Sequence, residues 1–110
     1  MNSHTPEFLP GTLYMIVLRT LAAGPLHGYA IARRIHTVSK EALSIEEGSL
    51  YPALNRMLVK GWLEAEWGVS ETGRKARFYR LTKAGRAELQ RGTQEFERLI
   101  SAIGLVMREA

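Results

Sequence analysis

The sequence predicts a mainly α-helical fold with one small β-hairpin, ending in a single long helix. Three observations predict it. Apolar residues recur at three- and four-residue steps in four separate stretches, the signature of helices with one buried face. Two runs, "WLEAEW" and "KARFYRL", alternate instead with a period of two and are joined by the Gly-, Ser- and Thr-containing "GVSETGRK", as in an antiparallel hairpin with a long tip. The last helical pattern continues for about 25 residues, too long for so small a domain to cover.

The first helix, about 11–23, places Leu13, Ile16, Val17 and Leu21 at helical spacing and stops at Gly24-Pro25, a glycine that ends the helix and a proline that cannot extend it. The second, about 27–39, carries Ile31, Ile35 and Val38 on one face and Arg33, Arg34 and His36 on the other. "KEALSI" follows, with Leu43-Ser44-Ile45 able to make at most one small strand. In the third helix Leu50, Leu54, Met57, Leu58 and Gly61 form the inward stripe, leaving Ser49, Pro52, Asn55 and Arg56 outward. Pro52 forfeits a bond to the Gly48 carbonyl, a defect of roughly 3 kcal/mol in a helix interior and much less near its start. The helix therefore starts at 46–48, with Ser44, Glu46 or Glu47 satisfying its first amides.

In the hairpin Leu63, Ala65 and Trp67 alternate with Glu64 and Glu66; on the returning strand either Tyr79 with Leu81 or Ala76 with Phe78 is the buried set, and the pattern leaves both open. Thr82 is a good N-cap for the final helix. Along it Leu89, Phe96, Leu99, Ile100, Ile103, Val106 and Met107 recur in a stripe whose far end calls for a second copy of the chain. The organisation is thus an N-terminal unit, 1–82, and a C-terminal dimerisation helix, 83–110, in one compact whole.

Composition bounds the function. A chain of 110 residues, 45% of them hydrophobic, makes one ordinary globular domain. It has no cysteine, hence no disulfide framework and no thiolate metal site. The start "MNSHTPEFLPGTLYM" lacks a basic segment followed by an apolar one, and no apolar run approaches a membrane span, so a cytoplasmic protein is expected. His4, His27 and His36 are scattered and no Ser-His-acid or paired-carboxylate arrangement is recognisable, which argues against an enzyme. His27 and His36 are not spaced as helical metal ligands; capping or surface roles are expected, with no metal and no cofactor.

Three short helices followed at once by a hairpin with a basic tip give the order of a winged helix-turn-helix. A large part of the positive excess behind the net charge of +4 is concentrated there: Arg74, Lys75, Arg77 and Arg80 lie on or just after the tip, opposed by Glu71. Double-stranded DNA is the expected partner. A winged helix docking onto protein instead would favour an acidic wing and an apolar outward face on the third helix, and here the wing is basic and the face polar.

"LHGYAIARRI", "EEGSLYPALNRMLVKGWLEAEW" and "RKARFYRLTKAGRAEL" resemble, in order and spacing over residues 10–92, the motifs of the PadR family of bacterial transcriptional regulators. Ser49 stands where threonine is common and Met57-Leu58 where Leu-Glu is frequent. The single C-terminal helix is similar to the smaller subgroup. The resemblance implies a homodimeric repressor that binds operator DNA and often releases it on binding a small molecule; the two-fold symmetry of such a dimer would demand a palindromic operator. It implies that the Tyr-Pro step sits at the DNA-facing start of the recognition helix, with Ser49, Tyr51 and Pro52 positioning the backbone and Asn55 and Arg56 suited to base edges. Tyr29 of the HGY motif is a further phosphate candidate. Where two final helices cross against helix 1 of the partner, Phe96 falls where relatives often carry an aromatic residue at the dimer centre, and with Tyr14, Met15 and Leu99 it is expected to line an apolar cavity suited to flat aromatic molecules.

Overall fold

The computed structural model describes residues 10–109. His4, the N-terminal "MNSHTPEFL" and the first nine residues of the expected N-terminal unit lie outside the described residues, as does Ala110. The order is α1 (Pro10–Leu21), β1 (Leu26–His27), α2 (Gly28–Val38), α3 (Glu47–Val59), β2 (Leu63–Val69), β3 (Lys75–Leu81) and α4 (Lys83–Arg108).

The inward stripes of α1, α2 and α3 meet in one core: Leu13, Val17, Leu18 and Leu21 from α1, Ile31 and Ile35 from α2, and Leu50, Ala53, Leu54 and Met57 from α3. Gly61 is not part of that stripe. It follows the helix at φ +79°, where the amides of Gly61 and Trp62 turn back to the carbonyls of Leu58 and Met57, a closure that needs a residue without Cβ strain.

The sheet has the order β1-β3-β2, all antiparallel. Leu43-Ser44-Ile45, which the sequence allowed at most one small strand, forms none. The strand beside β3 is Leu26–His27, paired with Tyr79 and Phe78, while Lys40 and Glu41 turn the chain out of α2 at positive φ. The open question of the hairpin face resolves to Tyr79 and Leu81, which are buried with Leu63. Pairing of Leu63 with Leu81 and of Ala65 with Tyr79 puts these four on one face. On the other face Arg80 sits opposite Glu64 and forms ion pairs with Glu64 at 2.9 Å and Glu66 at 2.8 Å. Arg80 is therefore withdrawn from the basic tip to which the sequence assigned it.

Thr82 caps α4 as expected, its Oγ1 accepting from the Gly85 amide at 3.0 Å. The same hydroxyl donates to the Gly61 carbonyl at 2.6 Å, which ties the end of α3 to the start of α4. Leu89 packs in part against the chain's own core. The rest of the stripe, Phe96, Leu99, Ile100, Ile103, Val106 and Met107, is 41–76% exposed, and Leu105 joins it at 67%.

Candidate nucleic-acid interface

Every residue the sequence put forward for DNA lies at the surface: Tyr29, Ser49, Tyr51, Pro52, Asn55, Arg56, Arg74, Lys75 and Arg77. Seven of the nine fall into two neighbouring groups, and Ser49 and Arg56 belong to neither. Pro52 and Asn55, three residues apart, share the outward face of α3 with Val59, which is 88% exposed. Tyr29, Tyr51, Arg74, Lys75 and Arg77 line a cleft of about 720 Å³ between the start of α2, α3 and the wing.

Four cations, Arg33, Arg74, Lys75 and Arg77, face that cleft against the carboxylate of Glu71. Trp67 lines it too, with the Lys75 Nζ 5.2 Å from its ring centroid. Sequence reasoning missed Arg33 and Trp67 as site residues: Arg33 reads as an ordinary exposed helix cation and Trp67 as a core residue by its alternation. Trp67 is 62% exposed because the hairpin runs beyond the helices that cover Leu63 and Ala65.

Tyr51 is placed by a glycine. A Cβ built on Gly28 would lie 2.5–2.7 Å from the Tyr51 hydroxyl and ring, so the HGY and LYP segments fit together only because Gly28 has no side chain. Burial, and next the charge of Glu47, push the Tyr51 phenol above its ordinary pKa. It stays protonated at neutral pH and can donate to a phosphate oxygen.

The start of α3 carries no side-chain cap. Glu46 occupies the cap position without bonding an amide through its carboxylate, contrary to the expectation for Ser44, Glu46 or Glu47. Short side chains suit that position and the long Glu46 does not. Arg56 leans away from Asn55 toward α1, its Nε donating to the Tyr14 hydroxyl at 2.6 Å and its guanidinium 5.6 Å from the Tyr14 ring centroid.

Tyr14, Met15, Phe96 and Leu99 do come together, in a groove of about 410 Å³ between α1 and α4. Trp62 meets the edge of Tyr14 with ring centroids 5.6 Å apart. His27 caps α2 through Nδ1, which accepts from the Ala30 amide at 3.2 Å. Among the described residues no group of three or more His, Cys, Asp or Glu side chains is placed to hold a metal ion. No helix among them is long and apolar enough to cross a membrane.

The sequence profile of the transcriptional regulator PadR-like family matches residues 17–91, from within α1 through the wing and into α4. The chain belongs to the PadR-like family. This PadR-like chain is 32% identical over 93 residues to a transcriptional regulator of Mycobacterium tuberculosis, covering 84% of this chain and 83% of that one. An uncharacterized protein of Lysinibacillus sphaericus is 30% identical over 101 residues, 92% of this chain and 93% of its own. Among solved structures, a transcriptional regulator from Clostridium thermocellum superposes with a TM-score of 0.78 at 29% identity, over 86% of this chain and 91% of that one. A PadR family regulator from Eggerthella lenta gives 0.76 at 28% identity, over 91% and 85%. The winged-helix fold with its long final helix is thus that of the family, whose members are regulators of transcription and not enzymes.

Proposed function

We propose that this PadR-like protein is a cytoplasmic repressor that binds a palindromic operator as a homodimer, through α3 and the basic wing, and releases it on binding a small aromatic effector. The observation that carries the DNA interaction is the convergence of Tyr29, Tyr51, Arg74, Lys75 and Arg77 on one cleft beside the outward face of α3. Tyrosine hydroxyls and wing cations hold phosphates; Ser49 and Pro52 set the entry of α3, and Asn55 reads base edges in the major groove. Arg56 joins base reading when it leaves Tyr14. Residues 1–82 form the DNA-binding unit and 83–110 the dimerisation helix. Repression and effector release are family properties carried to this chain by likeness.

Mobility shift with labelled promoter DNA tests DNA binding, and the wing has its own signature. Arg74→Ala with Lys75→Ala weakens specific and non-specific binding together and lowers the slope of log affinity against log salt by about 0.9 for each phosphate that the wing no longer neutralises. An unchanged slope removes the wing from the interface.

The groove between α1 and α4 supports the effector reading, because Tyr14, Met15, Phe96 and Leu99 line it together. Trp62, packed on Tyr14, is a built-in reporter. Titration with planar phenolic or cationic aromatic compounds is expected to shift Trp fluorescence and weaken operator binding. Compounds that change neither leave the groove without a ligand role.

A further inference from the structure

A carboxylate at the tip of a basic wing works against a polyanionic partner, and Glu71 stands among four cations facing the cleft. Its partner explains the position. Glu71 Oε1 lies 3.2 Å from His27 Nε2, a pairing across 44 residues of sequence. His27 Nδ1 accepts the Ala30 amide, so the ring proton sits on Nε2 and is donated to the carboxylate.

The two ends of this bond differ in freedom. His27 is only 9% exposed, fixed by its cap bond to Ala30, stacked beside Tyr29 at 6.5 Å and set edge-on to Phe78 at 5.3 Å. The wing tip is organised within itself: Ser70 N–H donates to the Arg74 carbonyl, Gly73 N–H to the Ser70 carbonyl, and the Ser70 and Thr72 hydroxyls share a bond of 2.9 Å. Beyond His27, however, β3 has no third strand beside it, so the hairpin projects as a two-stranded ribbon. A two-stranded ribbon has little to hold its direction.

We propose that Glu71 and His27 form a latch in which the buried helix cap holds the wing tip over the start of α2, and so sets Arg74, Lys75 and Arg77 at the height of the DNA phosphates. Glu71 is a positioning residue: it aims the cations that bind and is itself a repulsive charge. The Glu71 carboxyl is held below its ordinary pKa first by its own backbone amide and next by the His27 bond, which keeps it ionised and accepting. The effect on affinity rests on the wing's role in DNA binding proposed above.

The test uses a sign that electrostatics alone would reverse. Glu71→Ala removes an anion from the interface, which by charge alone tightens binding and steepens the salt slope. The latch instead requires Glu71→Ala to weaken operator binding, by about three- to five-fold for a pair whose carboxylate is solvent-exposed. Glu71→Gln removes the charge but keeps an oxygen that accepts from His27, and it binds as tightly as the native protein or more so. His27→Asn still caps Ala30 but is too short to reach Glu71; it weakens binding as Glu71→Ala does, and the two together do no more than either alone. Tighter binding by Glu71→Ala, or equal weakening in Glu71→Ala and Glu71→Gln, overturns the latch. In the free native protein, NMR is expected to show the His27 ring against the Glu71 methylenes. The two failures separate: absence of that NMR proximity overturns the latch in a wing that still binds, whereas an unchanged salt slope in the Arg74 and Lys75 variant overturns the wing itself.

Discussion

Ile103→Glu is expected to convert the proposed dimer to a monomer that keeps its helical content and loses operator affinity by about two orders of magnitude, the order of gain that linking two half-site interactions provides. Ile103 lies in the exposed stripe from Phe96 to Met107, whose large apolar members are each at least 41% exposed. Each large apolar side chain removed from water contributes about 1.5–3 kcal/mol, and several per chain in two chains outweigh the cost of association. A glutamate in that seam would be buried without a partner. Glutamate is a good helix former, so α4 itself survives. In the proposed symmetric dimer two α3 helices would stand about one DNA turn apart, which is why a palindromic operator is proposed with it. Sedimentation and operator titration decide together: a monomeric native protein, or a monomeric variant with undiminished affinity, defeats the dimer account.

Gly85→Ala is expected to destabilise the fold by about 3 kcal/mol, the upper end for forcing atoms into filled space. Replacing glycine by alanine inside a helix ordinarily stabilises it, by up to about 1 kcal/mol, so the sign is the result to watch. A Cβ on Gly85 would run into the Trp62 carbonyl oxygen, the acceptor of the Thr82 amide at 3.0 Å. Backbone cannot swing aside as a side-chain end does, so the α3–α4 junction must open. Gly92→Ala is the control: it meets only Met15 Cγ at 4.0 Å, an ordinary van der Waals distance, and gains helix propensity. Urea unfolding at one fixed protein concentration compares the pair. If both substitutions stabilise alike, the close approach of α4 to Trp62 is wrong.

Elements whose cause lies within a few residues could be read directly. The stop of α1 ahead of Gly24-Pro25, at Leu21 and so two residues before the expected end, the start of α3 ahead of Pro52 and the Thr82 cap all depend on backbone groups near in sequence, and the sequence itself determined them. Period alone separated the inward stripe of α3 from its outward face, so Pro52 and Asn55 were legible as exposed. It did so less well at the end of the helix, where Gly61 fits the spacing but closes the turn. The hairpin face was not legible, because Tyr79 with Leu81 and Ala76 with Phe78 satisfy the same alternation; packing against the three helices chose the first pair.

The site depended still more on that packing. Whether Arg80 would serve the wing was decided by its cross-strand neighbour Glu64, and the place of the third strand by which segment reached the free edge of β3. Arg56 meets Tyr14 across 42 residues and His27 meets Glu71 across 44. The sequence supplied each of these side chains and the helix or turn that carries it. Which of them touch was settled only when one shared core fixed the distances between elements, since a local pattern constrains the direction of a side chain from its own backbone and says nothing of what stands opposite.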